Sequence, residues 1–141
     1  MSPMLEIGVT LSGADDAAAS MREAVDESFR VFPLEVRPES GVAGFFAAVR
    51  RGLPLDPPLH SDRGWDALAD SLWEGLHSID SGRVLIHWRK ATGFRDTCPE
   101  VFDMCLEVLG NTAASLADRR ATGGRTTHVT VLIEVSSLSA K

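Results

Sequence analysis

The segment from Ser61 to His77, SDRGWDALADSLWEGLH, constrains the fold most, because its apolar residues recur at helical spacing. At about 100° per residue, one stripe of such a helix is apolar and predicts a face packed on a core. That stripe consists of Trp65, Leu68, Ala69, Leu72 and Leu76. A second stripe, about a third of a turn away, holds Asp66, Asp70, Glu74 and His77, with Trp73 at the border. We call Asp66, Asp70 and Glu74 the acid row.

The acid row has a structural and a functional interpretation. Charged helix faces are commonly just solvated surfaces. However, no Lys or Arg follows any of the three acids by three or four residues, where a cation would pair with it. A Trp beside the row suits a recognition surface. Paired carboxylates can also act as catalytic acid and base. No phosphate loop, nucleophile–base pair or metal set accompanies them, so we expect no enzyme, no cofactor and no metal.

Charge and composition narrow the class of partner. The 141-residue chain has a formal net charge of −6 and a sequence pI of about 5.1, which disfavours direct nucleic-acid binding and suits a basic protein. No apolar run is long enough to span a membrane, and the N-terminus lacks the pattern of a signal peptide, so we expect a cytoplasmic protein. Cys98 and Cys105, seven residues apart on one predicted helix, are too far apart for a disulfide.

Strand-like and helix-like segments alternate, which predicts an α/β fold with a mainly parallel sheet. A capping box, Thr97 to Glu100, predicts the start of the last helix. The predicted strands are 5–11, 31–36, 83–88 and 127–135, and the predicted helices are 15–29, 42–53, 61–77 and 97–119.

Trp65-Asp66-Ala67-Leu68, followed by Asp70-Ser71-Leu72, resembles the signature of the barstar family, intracellular inhibitors of secreted bacterial ribonucleases. The order of elements and the Trp88-Arg89 end of the middle strand fit the same family. The resemblance covers about Phe32 to Val135 and implies a barstar-like, three-stranded parallel sheet flanked by helices, to which an N-terminal strand could add a fourth. We expect an N-terminal strand–helix extension (1–30), a barstar-like domain (31–136) and a frayed tail (137–141). The extension is either an added layer on the sheet or a second interaction surface.

The resemblance also implies a function. In the family, the two aspartates of the motif enter the basic active site of the nuclease, where they occupy phosphate positions. Asp66 and Asp70 are therefore the expected partner contacts, with Trp73 at the rim and Glu74 extending the row. The expected partner is a basic secreted ribonuclease or toxin nuclease domain, inhibited by an immunity protein that is monomeric when free.

One part of the family pattern is missing. Where the family has an aromatic pair and a glycine before the motif, this chain has His60, Ser61 and Asp62. His60 is either a substitute partner contact or an ordinary loop histidine. This difference and the extra N-terminal unit leave an alternative open, a barstar-like module that binds a different basic protein without inhibiting a nuclease.

Overall fold

The structure is a computed structural model that describes residues 5–59 and 64–136. Within these ranges the chain forms four strands and five helices. The strands are β1 (Gly8–Ser12), β2 (Arg30–Leu34), β3 (Arg83–Trp88) and β4 (His128–Glu134). The helices are α1 (Ala14–Asp26), α2 (Gly41–Gly52), α3 (Trp65–His77), α4 (Thr92–Thr97) and α5 (Pro99–Leu116).

All four strands form one parallel sheet in the order β1-β4-β3-β2. The predicted α/β class is therefore confirmed, and β1 is the fourth strand that the sequence left open. Strand β2 lies at an edge, which is where a strand containing Pro33 is tolerated, because proline cannot donate to the ladder. The central strand β3 is buried on both faces from Val84 to Trp88, as its nearly continuous apolar run predicts.

The two faces of the sheet carry separate apolar clusters. Leu85 and Leu132 face α1 and pack with Ala17 and Ala24 of that helix. The larger cluster lies on the opposite face and includes buried residues of α2, α3, α4 and α5. An aromatic group fills part of it, with Trp88 of β3 in contact with Phe45, Phe94 and Phe102. The layers therefore follow the order helix, sheet, helices, and α3 belongs to the side with the larger core.

Two local predictions are wrong. The segment between the predicted strand 83–88 and the predicted helix 97–119, to which the sequence assigned no regular element, forms the short helix α4, and Thr97 ends α4 instead of capping α5. Cys98 holds the N-cap position of α5, and no side chain makes a capping hydrogen bond there. The Thr97–Glu100 capping box therefore does not form, because Thr97 is still helical at the point where a cap residue must be extended. The tail beyond Ser136 lies outside the described residues.

No helix in the described ranges combines the length and the apolar character needed to cross a membrane. The longest helix, α5, has 18 residues. Three of those residues are acidic, namely Glu100, Asp103 and Glu107, which makes the helix too polar for a membrane span.

Candidate functional site

Helix α3 is fixed by the core on its inner side. Leu68, Leu72 and Leu76 are completely buried, as the apolar stripe predicts. At the start of the helix, the half-buried Trp65 stacks on the ring of Phe45 at 5.9 Å and meets Phe46 edge to face at 5.2 Å. These ring contacts hold the first turn of α3 against α2. Because Trp65 directly precedes Asp66, these contacts also hold the backbone at Asp66 in place.

A second contact fixes the middle of α3 and was missed by sequence reasoning. The N–H of Asp56 donates to the carbonyl of Ser71 at 3.0 Å, although that carbonyl lies within the helix. A Cβ on Gly75 would collide with the backbone of Pro54, so glycine allows the 54–56 segment to lie directly on the helix. Ser71 and Gly75 are both buried. The only sequence signal was a glycine inside a strongly periodic helix.

The acid row lies on the solvent side of this fixed helix. Asp66, Asp70 and Glu74 are all exposed. None of their carboxylates makes an ion pair or hydrogen bond with any residue of ranges 5–59 and 64–136. Successive acids are four residues apart, or about 6 Å along the helix axis. The arrangement places three carboxylates on a well-packed helix, and no cation of the described ranges pairs with them.

Trp73 lies beside the acid row but has internal contacts. Its indole N–H donates to the hydroxyl of Ser115 on α5 at 2.9 Å, and its ring stacks on His77 at 4.7 Å. The side chain is half-buried. Trp73 therefore joins α3 to α5, which gives it a structural reason to stand at this border. Its predicted contact with a partner stays a prediction.

The C-terminal end of α3 is tied to the Gly-rich turn before β4. The guanidinium of Arg125 donates to the carbonyl of His77 at 2.7 Å, and His77 Nε2 donates to the carbonyl of Arg125 at 3.2 Å. A cation on the last carbonyls of a helix satisfies groups without an intrahelical partner and opposes the negative end of the helix dipole. The segment 119–126, RRATGGRT, is basic and rich in glycine, but its sequence does not show that it caps a helix 48 residues away.

The sequence analysis also considered His60, a metal site and the two cysteines. His60 lies outside the described residues. Among those that are described, no three His, Cys, Asp or Glu side chains come together as a metal site. Cys98 and Cys105 are free thiols. Cys105 is buried, and this burial raises the pKa of its thiol far above the usual range.

The family model described as Barstar (barnase inhibitor) matches residues 29–129. The chain belongs to the barstar family. The matched stretch runs from just before β2 into β4 and includes all of α3, while β1 and α1 precede it. The family is one of inhibitors that bind barnase-like ribonucleases. Neither the search of curated proteins nor the search of solved structures finds a match.

Proposed function

We propose that this protein is an intracellular inhibitor, an immunity protein, of a basic bacterial ribonuclease, and that it blocks the active site of that enzyme with the acid row. The proposal rests on the exposed acid row, which makes no ion pair with any described residue and lies on a helix packed along its inner side, in a member of the barstar family. A ribonuclease needs Arg, Lys and His in its active site to bind phosphate. Asp66 and Asp70 offer such a cluster two carboxylates in place of the substrate.

Rigidity of the helix favours tight binding. An interface costs less free energy when its groups are already in the bound geometry. Trp65 and the 54–56 segment hold the backbone of α3, and the aspartate side chains have only two rotatable bonds to fix. Each carboxylate can accept charge-assisted hydrogen bonds from a guanidinium or ammonium group, and these are roughly twice as strong as neutral ones. Inhibition then follows from occlusion of the phosphate-binding groups, without any chemistry on the inhibitor.

Long-range electrostatics favours the same partner. With a net charge of −6, the chain attracts a basic enzyme before contact, which raises the association rate. Glu74 extends the row by one turn, and Trp73 supplies a flat ring beside it. We place both at the edge of the proposed interface, together with His60. Because the family acts inside the cell that makes the nuclease, we place this chain in the cytoplasm as well.

The deciding experiment is calorimetric titration of the full chain against a barnase-type ribonuclease, with RNA cleavage followed in parallel. The proposal expects one-to-one binding that abolishes cleavage and that weakens in Asp66→Ala and Asp70→Ala. A matched control is Asp16→Asn, which removes the same charge from α1, on the opposite face of the sheet. Binding that does not inhibit cleavage, or equal weakening by Asp16→Asn, would overturn the proposed site.

Absence of binding to ribonucleases of this type would favour the alternative, a module for a different basic protein. The replaced aromatic pair before α3 and the extra N-terminal unit keep this alternative open. Under that alternative, a basic protein captured by the wild-type chain would be lost with the Asp66→Ala, Asp70→Ala double variant. Neither the wild-type chain nor the double variant would then affect RNA cleavage by the ribonuclease.

A further inference from the structure

A cluster of cations lies at the carboxyl ends of β2 and β3 and plays no part in the proposed function. Leu34 and Trp88 end these strands side by side, and the chain continues from them to Arg37 and Lys90. A cleft of about 420 Å³ opens there and is lined by Glu35, Val36, Arg37, Pro38, Arg51 and Lys90. We call it the cation cleft. In open α/β sheets, ligand sites commonly lie outside the carboxyl ends of the strands.

Lys90 stands in a backbone conformation that a lysine rarely adopts. Its φ of 52° lies in the left-handed region. In the described ranges, only two non-glycine residues, Ser28 and Lys90, have a positive φ. Hydrogen bonds on both sides hold it there: Arg89 N–H donates to the Leu34 carbonyl and Ala91 N–H to the Glu134 carbonyl, each at 2.8 Å. Backbone strain of this kind costs about 1–3 kcal/mol and clusters at functional sites. The fold therefore holds a strained lysine at the mouth of the cleft.

The charges of the cleft are available to a ligand. Arg51 and Lys90 make no ion pair or hydrogen bond through their side chains with any described residue. Arg37 lies 3.6 Å from Glu39, but both side chains are more than two-thirds exposed, and such surface pairs are weak. Glu35, the single acid in the lining, lies 3.9 Å from Arg89 outside it in a similarly weak surface pair, so the lining holds three cations and one acid. The lining therefore has a local excess of positive charge in a chain of net charge −6.

We propose that the cation cleft binds the phosphoryl group of a small phosphate-bearing ligand. Two guanidinium groups and one ammonium group match the several oxygens of a phosphoryl dianion, and guanidinium groups bind phosphate in a bidentate manner. A nucleic-acid strand is a poorer fit, because the lining has no aromatic side chain on which a base could stack. The overall negative charge also opposes a long polyanion. No residue of the cleft belongs to α3, so this proposal stands independently of ribonuclease inhibition.

The test uses amide NMR spectra of the full chain, titrated with inorganic phosphate at ionic strength held constant with chloride. The proposal expects saturable shifts centred on Arg37, Arg51 and Lys90. Binding should weaken about tenfold or more in Arg51→Gln and in Lys90→Gly, because each variant loses one charge-assisted contact. Lys90→Gly also removes the strain, since glycine adopts positive φ freely, so its unfolding free energy should not fall. Loss of binding in a variant of undiminished stability separates recognition from folding.

Arg22→Gln is the matched control, because it removes an exposed cation from α1, outside the cleft. Equal weakening by Arg22→Gln, or shifts that do not saturate, would overturn the proposal, and so would tighter binding of an acidic peptide than of phosphate.

Two further titrations identify the source of the phosphoryl group. Equal affinity for phosphate and for a nucleoside monophosphate supports recognition of the phosphoryl group alone, whereas tighter binding of the nucleotide supports an ester ligand.

Discussion

Asp70→Asn tests whether the acid row serves recognition or folding. Asp70 lies between Asp66 and Glu74 at four-residue spacing, and each like-charged pair of this kind destabilises a helix by about 0.2–0.5 kcal/mol. The carboxylate has no described partner whose loss would offset that relief. We therefore expect the free energy of unfolding to rise by about 0.4–1 kcal/mol at low salt. Because Asn has nearly the shape of Asp, packing on α3 is unchanged.

Binding should respond in the opposite direction. A hydrogen bond to a charged group contributes about 1.5–3 kcal/mol, which corresponds to about a 10- to 150-fold change in Kd. Asp70→Asn should therefore weaken binding of the ribonuclease by that factor while it leaves the chain at least as stable. Urea unfolding gives the first quantity and calorimetry the second. Asp16→Asn corrects for the change in net charge.

The reasoning fails if Asp70→Asn leaves Kd unchanged, because the acid row is then not the binding surface. It also fails if stability and binding fall together by more than about 1 kcal/mol, since the weaker binding would then reflect damage to the fold. Added salt provides a further check. The stabilisation by Asp70→Asn should shrink as salt screens the repulsion between exposed carboxylates.

Two further predictions concern the contacts that hold α3 in place, and a third concerns the two cysteines. Gly75→Ala should lower the free energy of unfolding by about 1–3 kcal/mol in urea titration, because its Cβ meets the Pro54 backbone; unchanged stability would contradict this close approach. Trp73→Phe and Ser115→Ala should each cost about 1 kcal/mol, and the double variant should cost less than their sum if the 2.9 Å hydrogen bond joins α3 to α5. A thiol reagent should modify Cys98 in the folded chain and Cys105 only after unfolding, because burial raises the pKa of Cys105; early labelling of both would refute this.

The inner stripe and the outer acid row of α3 could be predicted because both depend on helical period alone. Leu68 and Leu72 are buried, and Asp66 and Asp70 are exposed, as that period requires. The bounds of β3 were also predicted correctly, since a continuous apolar run between a turn and a charged pair leaves little choice. These features are local, and they also carry the family resemblance.

Contacts between distant segments could not be predicted in the same way. Ser71 and Gly75 face inward because the 54–56 segment lies on α3, and neither residue type signals burial by itself. Arg125 reaches the end of α3 across 48 residues. The Thr97 prediction failed because the chain continues as α4 up to that residue, so that a correct capping pattern had no free helix start to cap. Arg37 and Lys90 line one cleft because β2 and β3 end side by side, and Arg51 joins them from the last turn of α2.

The position of β1 and α1 bears on the role of the first 28 residues, which precede the family match. Strand β1 pairs with β4 at five positions, from Gly8 opposite Thr130 to Ser12 opposite Glu134. Helix α1 covers Leu85 and Leu132, which belong to the two central strands and are at most 1% exposed. Without this unit, the α1 side of those strands would face water, at a cost of about 25 cal/mol for each Å² of apolar surface. Burial of the sheet therefore gives this unit a structural role, while its use as a second binding surface stays a prediction.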